Sequence, residues 1–436
     1  MTVERPLKQI HLAAHFPGVN NTTVWSDPAA GSQIEFDSFV HLARTAERGL
    51  FDFFFLAEGL RLREHRGRIH DLDVVGRPDT LTVLNALAAV TTHLGLAGTV
   101  NTTFNEPYEL ARQFASLDHL SAGRAAWNMV TSSDAFTGEN FRRGGYLDHA
   151  DRYGRAAETI ATARELWDAP NGRFTHHGPQ FDIAGVFDVP RSPQGHPVLI
   201  QAGDSDAGRD FGAAHADAIF TIHSTLEAGQ AFHADMRARL LRHRRGADEL
   251  RILPGATFVL GDTDADAHER ADVIRHQQVG PQTAIAFLEQ IWGRDLSAHD
   301  PDGPLPDVDP DPDAVITRGR VRHGDPAAVA KLWRETAEAK KLSIRELVIE
   351  LTGRQSFVGS PATVAAQIDE YVQSDACDGF ILVPHLTPAG LDEFVDTVVP
   401  LLQERGSFRT SYTGTTLRDH LGLRRPDHAA GRAAAS

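Results

Sequence analysis

Ser121-Ala122-Gly123-Arg124-Ala125-Ala126-Trp127-Asn128-Met129-Val130-Thr131-Ser132 sets a tight turn of small residues ahead of a run that reads as a buried strand. The run ends in Asn128, Thr131 and Ser132, side chains that hydrogen-bond without carrying charge. Ligands of parallel α/β sheets and barrels sit at the carboxyl ends of strands, so this stretch marks the edge of a candidate site. Read only as pattern, the same polar groups also serve to cap the following loop.

Working outward, the same unit recurs. Strand-like segments stand near residues 10, 54, 97, 127, 200, 219, 255 and 381, with helical spacing between them. Phe51-Asp52-Phe53-Phe54-Phe55-Leu56-Ala57 is nearly continuous in apolar character, as a strand covered on both faces is. Eight alternations predict a closed (β/α)8 TIM barrel rather than an open sheet. The segment 170–195, rich in Gly, Pro and His, reads as an excursion from the main sheet. Regularity fails between about 273 and 350, where Pro and Asp crowd residues 300–314, and this stretch is expected to be an insertion or lid. Residues 426–436 read as a frayed tail, and the whole of 1–436 as one barrel domain.

Composition excludes several classes of function. Of 436 residues 41% are hydrophobic and 23% charged, the balance of an ordinary globular chain. Lys and Arg total 43 against 59 Asp and Glu, and the resulting charge of -16 repels nucleic acid and anionic membrane. Cys377 is the single cysteine, so an intrachain disulfide and a cysteine metal cluster are both impossible. No apolar run approaches the roughly 18 residues of a membrane span, and the first residues lack a signal-peptide pattern. A cytoplasmic protein is expected.

Several motifs bear on chemistry. His149 and Tyr153 lie four apart at the start of a long helix, on one face of its first turns, and an imidazole and a phenol there make a candidate phosphate cradle. Gly203-Asp204-Ser205-Asp206-Ala207-Gly208-Arg209 follows a buried strand and opens a helix, where Ser205 and free amides suit an anion. Arg209-Asp210 replaces the Lys and Ser/Thr of a P-loop, which excludes nucleoside triphosphate chemistry of that type. The 22 histidines form no metal-ligand spacing, and no metal is expected. No dinucleotide fingerprint and no nucleophile elbow occur.

Taken together, the opening stretch, the His149 and Tyr153 pair, Val198-Leu199-Ile200-Gln201-Ala202-Gly203 and Thr415-Thr416-Leu417-Arg418-Asp419-His420-Leu421-Gly422-Leu423 resemble the bacterial luciferase-like flavin monooxygenases. More narrowly, the chain is similar to the branch that holds nitrilotriacetate monooxygenase, dibenzothiophene sulfone monooxygenase and pristinamycin synthase. The resemblance implies a TIM barrel that takes reduced FMN (FMNH2) from a separate NAD(P)H-dependent flavin reductase. It implies that FMNH2 and O2 then oxidise a small organic substrate through a flavin C4a-peroxide, in a homodimer or homotetramer. Carried over by position, Asn128, Thr102 and Thr103 lie along the flavin ring, and His149, Tyr153, Gly203 and Ser205 hold its ribityl and phosphate. Glu58 stands where the branch has Asp, which places its flavin contact in question. His15 and His223, at strand ends, are the candidates for handling a catalytic proton, and Phe16, Trp25, Phe55 and Phe104 the candidates for an apolar wall. A deazaflavin-dependent oxidoreductase and a silent flavin-binding protein are the alternatives on the same barrel.

Overall fold

The computed structural model describes residues 7–18, 22–60, 64–65, 68–69, 78–131, 140–141, 151–169, 172–223, 225–314, 325–353 and 355–427. His149, Ser132 and the tail beyond Asp427 lie outside these residues. The eight strands expected from the sequence are β1 (His11–His15), β2 (Phe53–Leu56), β3 (Gly95–Asn101), β4 (Ala125–Val130), β5 (Val198–Gln201), β6 (Ala218–Thr221), β7 (Arg251–Ala256) and β8 (Gly379–Leu382). All pair in parallel with their neighbours in chain order, and β8 returns to β1, so the sheet closes into a TIM barrel.

Alternation along each strand divides its side chains between two cores. Leu12, Phe54, Leu96 and Trp127 face the helical shell, while Ala13, Phe53, Ala97 and Ala126 face the lumen. The opening stretch is built for its turn. Gly123 takes φ +92°, a region that favours glycine, and buried Arg124 donates to the carbonyls of Ala88, Thr91, Leu94 and Ser121. Its guanidinium therefore ties the start of β4 to the end of the preceding unit.

The motif Thr415–Leu423 closes the amino-terminal end of the barrel. Leu417, Leu421 and Leu423 join the lumen core, and the Leu417 amide donates to the Gly123 carbonyl at 3.0 Å. Arg418 reaches Asp217 at 2.8 Å and Arg251 reaches the Leu421 carbonyl at 2.7 Å, both beside the first residues of strands. Its role in the fold is a plug at the end opposite the strand tips.

The excursion at 170–195 contains an antiparallel pair, Arg173–His177 with Asp182–Val186, outside the barrel as expected. The 273–350 stretch is more regular than its sequence suggests. Helices Asp264–Gln278, Pro281–Trp292, Pro326–Lys340 and Ile344–Thr352 occupy most of it, and the last three share a core that includes Leu288, Trp292, Trp333 and Leu347. The chain then rejoins the barrel side, where Phe357–Gly359 pairs with Phe258–Leu260 just beyond β7.

Candidate active site

A cavity of about 690 Å³ opens at the carboxyl ends of the strands. Its floor follows from the alternation that built the lumen core. Two residues beyond the lumen-facing Ala13, Phe53, Ala97, Ala126, Ile200, Ala218, Leu253 and Ile381 come His15, Phe55, Thr99, Asn128, Ala202, Phe220, Gly255 and Val383. All eight line the cavity, one at or just past the end of each strand.

Asn128 and Thr99 are register partners on β4 and β3, and Asn128 Nδ2 donates to Thr99 Oγ1 at 2.8 Å. Asn128 is 3% exposed and its Oδ1 has no hydrogen-bond partner among the described residues. A buried carbonyl of this kind carries a desolvation cost that a donor from a ligand removes.

Beyond β5, Ser205 caps the helix Asp206–His215, its hydroxyl accepting from the Gly208 amide at 3.1 Å. Tyr153, in the helix Asp151–Trp167, brings its hydroxyl to the same place. A Cβ on Gly208 would stand 3.1 Å from Tyr153 Oη, 3.1 Å from Ser205 Oγ and 3.2 Å from the Gly203 carbonyl carbon. Two hydroxyls, a glycine turn and the positive end of a helix dipole thus meet around a missing side chain.

The remaining predicted residues divide. His15, Glu58 and His223 line the cavity. Thr102 and Thr103 follow β3 off the cavity wall; the Thr102 hydroxyl donates to the Val130 carbonyl at 3.3 Å, while Thr103 Oγ1 is buried without a partner among the described residues. Of the four aromatics expected as walls only Phe55 is one. Phe16 stacks on Phe39 with centroids 4.1 Å apart in the helical shell, Phe104 stacks on Phe141, and Trp25 is off the wall. Residues that sequence reasoning missed, Phe220, Thr257, Gln355, Phe357 and Phe380, complete the wall from β6 to β8. Thr257 and Ser356 exchange backbone-to-side-chain hydrogen bonds of 3.2 and 3.0 Å, fastening the end of the excursion to β7.

Protonation in the cavity differs from that of the free side chains. Burial lowers the His15 imidazole to about 4 and lowers His223 as well, so both are neutral at neutral pH. Burial acts the other way on Glu58 and raises its carboxyl to about 7, against two hydrogen bonds from Asn101, backbone N at 3.2 Å and Nδ2 at 3.1 Å, both to Oε2. Burial thus moves the lining carboxyl toward neutrality and the two imidazoles away from it.

A parallel barrel with a small-molecule cavity at its strand tips and partnerless polar atoms in the floor has the architecture of a barrel enzyme. The model of the luciferase-like monooxygenases matches residues 21–378, and the chain belongs to that family. It is an oxidoreductase, a monooxygenase. It is 39% identical to the N-acetyl-S-(2-succino)cysteine monooxygenase of Bacillus subtilis, over 96% of this chain and 98% of that one. Nitrilotriacetate monooxygenase component A of Aminobacter aminovorans is 38% identical over 93% of each chain. Among solved structures, long-chain alkane monooxygenase superposes with a TM-score of 0.79 at 27% identity, over 98% of this chain and 100% of that one.

Proposed function

We propose that this chain binds reduced FMN delivered by a separate NAD(P)H-dependent flavin reductase and uses O2 to oxygenate a small organic molecule, as a homodimer or homotetramer. The observation that carries the reading is the partnerless Asn128 Oδ1 at the cavity floor, together with the Gly208 cradle that follows β5 just beyond the cavity-lining Ala202. A relative printed as "component A" agrees with an enzyme whose reductant comes from another protein.

The donor set fits the cofactor. Asn128 accepts from a ring N–H, Tyr153, Ser205 and the first amides of the helix Asp206–His215 hold the phosphate, and Gly203 lets the backbone approach it. The Thr103 hydroxyl is partnerless but stands off the cavity wall, and that of Thr102 is engaged by Val130, so neither is assigned a contact with the ligand. Reduced flavin, when bound, supplies two electrons to O2, so that one oxygen atom enters the substrate and the other leaves as water. The chain's own part is to keep bulk water out with Phe55, Phe220 and Val383 and to move protons. Glu58, titrating near neutrality, gives and takes a proton at its carboxyl oxygens, and neutral His15 and His223 accept one at a ring nitrogen. The helical excursion that rejoins the wall at Gln355–Phe357 serves as cover.

The test is anaerobic titration of the purified chain with reduced FMN, followed by oxygen uptake with and without a flavin reductase. Saturable binding and reductase-dependent oxygenated product are expected. No binding of reduced FMN would overturn the reading, and hydride transfer to a deazaflavin without O2 would favour the alternative chemistry.

A further inference from the structure

The cavity floor mixes two chemistries: Thr99 and Asn128 are polar, whereas His15, Phe55 and Phe220 present rings. β2 and β6 are four strands apart in the closed order, on opposite sides of the barrel, yet Phe55 and Phe220 meet across the lumen with centroids 5.6 Å apart and planes at 34°. His15 continues the same layer, 5.4 Å from Phe55 and inclined by 31°. Gly255 makes room for this arrangement, since a Cβ there would stand 2.8 Å from Phe220 Cε2. Phe357 and Phe380, which also contribute to the lining, belong to the core of the helical shell and meet edge to face at 5.1 Å. Among the described residues the titratable lining groups are Glu58, His15, His223 and Tyr371, and neither Lys nor Arg lines the cavity.

We propose that the aromatic floor of His15, Phe55 and Phe220, walled by Phe357 and Phe380, receives an uncharged aryl group, so that the molecule oxidised is a neutral ring-bearing compound and not a polycarboxylate. The proposal rests on the monooxygenase reading for the word oxidised and on this geometry for the rest. A flat ring gains offset-stacked and edge contacts with such a floor. A carboxylate set against it loses its hydration without gaining a cation from the described residues, and meets the Glu58 carboxyl among the lining groups. Relatives 38% and 35% identical to this chain are named for molecules as different as nitrilotriacetate and dibenzothiophene sulfone, so identity at this level does not fix the substrate.

The experiment titrates the full chain by calorimetry with methyl phenyl sulfide, its para-carboxylate and nitrilotriacetate, first without and then with FMN. The neutral sulfide is expected to bind about tenfold more tightly than either carboxylate, a preference of the size that stacking contacts supply. Phe220→Ala, which removes one of the floor's three rings, and Gly255→Ala, which displaces the Phe220 ring, should each weaken the sulfide about tenfold. Either variant that folds by thermal melt suffices. Equal or tighter binding of a carboxylate, no binding of the sulfide, or unchanged binding in the folded variants overturns the proposal. Because the first titrations contain no flavin, and reduced FMN binding is measured separately, loss of aryl preference with flavin binding intact sinks this inference alone.

Discussion

The hydroxyls of Tyr153 and Ser205, from helices that belong to different βα units, converge on the open side of Gly208, each 3.1 Å from where its Cβ would lie. Ala at position 208 fills that space. In a helix the same change favours stability by about 1 kcal/mol. Here the new Cβ crowds Ser205, Tyr153 and the Gly203 backbone, which offsets that gain, so Gly208→Ala is expected to leave the melting temperature within a few degrees of the parent while weakening FMN at least tenfold, as calorimetry with FMN and with riboflavin will show. Because the cradle is assigned to the phosphate, riboflavin should lose far less than FMN.

Asn128 is held at the floor by its bond to Thr99, which leaves its carbonyl oxygen facing the cavity. Asn128→Ala removes one hydrogen bond to a ligand, a loss of about 1 kcal/mol, and leaves Thr99 Oγ1 to find water. Both FMN and riboflavin should weaken together, several-fold, in contrast to Gly208→Ala. A flavin affinity unchanged by Asn128→Ala would remove this residue from the ring site.

The barrel was legible because buried parallel strands appear as short apolar runs, and Phe53-Phe54-Phe55-Leu56 is wholly buried. That continuity is also why the wall was not legible. In such a run nothing in the sequence tells whether Phe54 or Phe55 faces the lumen; the register with Ala14 and His15 decides it. Asn128 was readable since a lone amide in an apolar strand stands out. The excursion helices were hidden for another reason: Pro326–Lys340 buries only Ala330, Trp333 and Ala337, and so narrow a stripe leaves little helical signal. The return of Gln355 and Phe357 to the cavity depends on pairing with β7's extension, about a hundred residues earlier, which local pattern does not encode.

Glu58 gives the cavity a pH signature. In the unfolded chain the carboxyl ionises near 4.5 and in the folded chain near 7, so between these values the folded state binds more protons and stability falls as pH rises. Glu58→Gln, always neutral, lacks this slope. Its melting temperature relative to the parent should therefore rise from below this window to above it. A constant difference across the window would show that Glu58 ionises normally.

Leu417 plugs the barrel at the end remote from the cavity, its Cδ1 so near Gly95 that a Cβ on the glycine would stand 2.6 Å away. It is fully buried with Leu421 in the lumen core, and the segment is fastened by Arg418 to Asp217. Leu417→Ala should destabilise by about 2–5 kcal/mol, through lost burial and the void left between strands that cannot collapse inward. The flavin site lies across the barrel, so at temperatures where the variant stays folded its FMN affinity should match the parent's. Chemical denaturation and FMN titration of the same preparation separate these two effects: a large loss of affinity in folded protein would mean that the plug shapes the strand tips as well as closing the base.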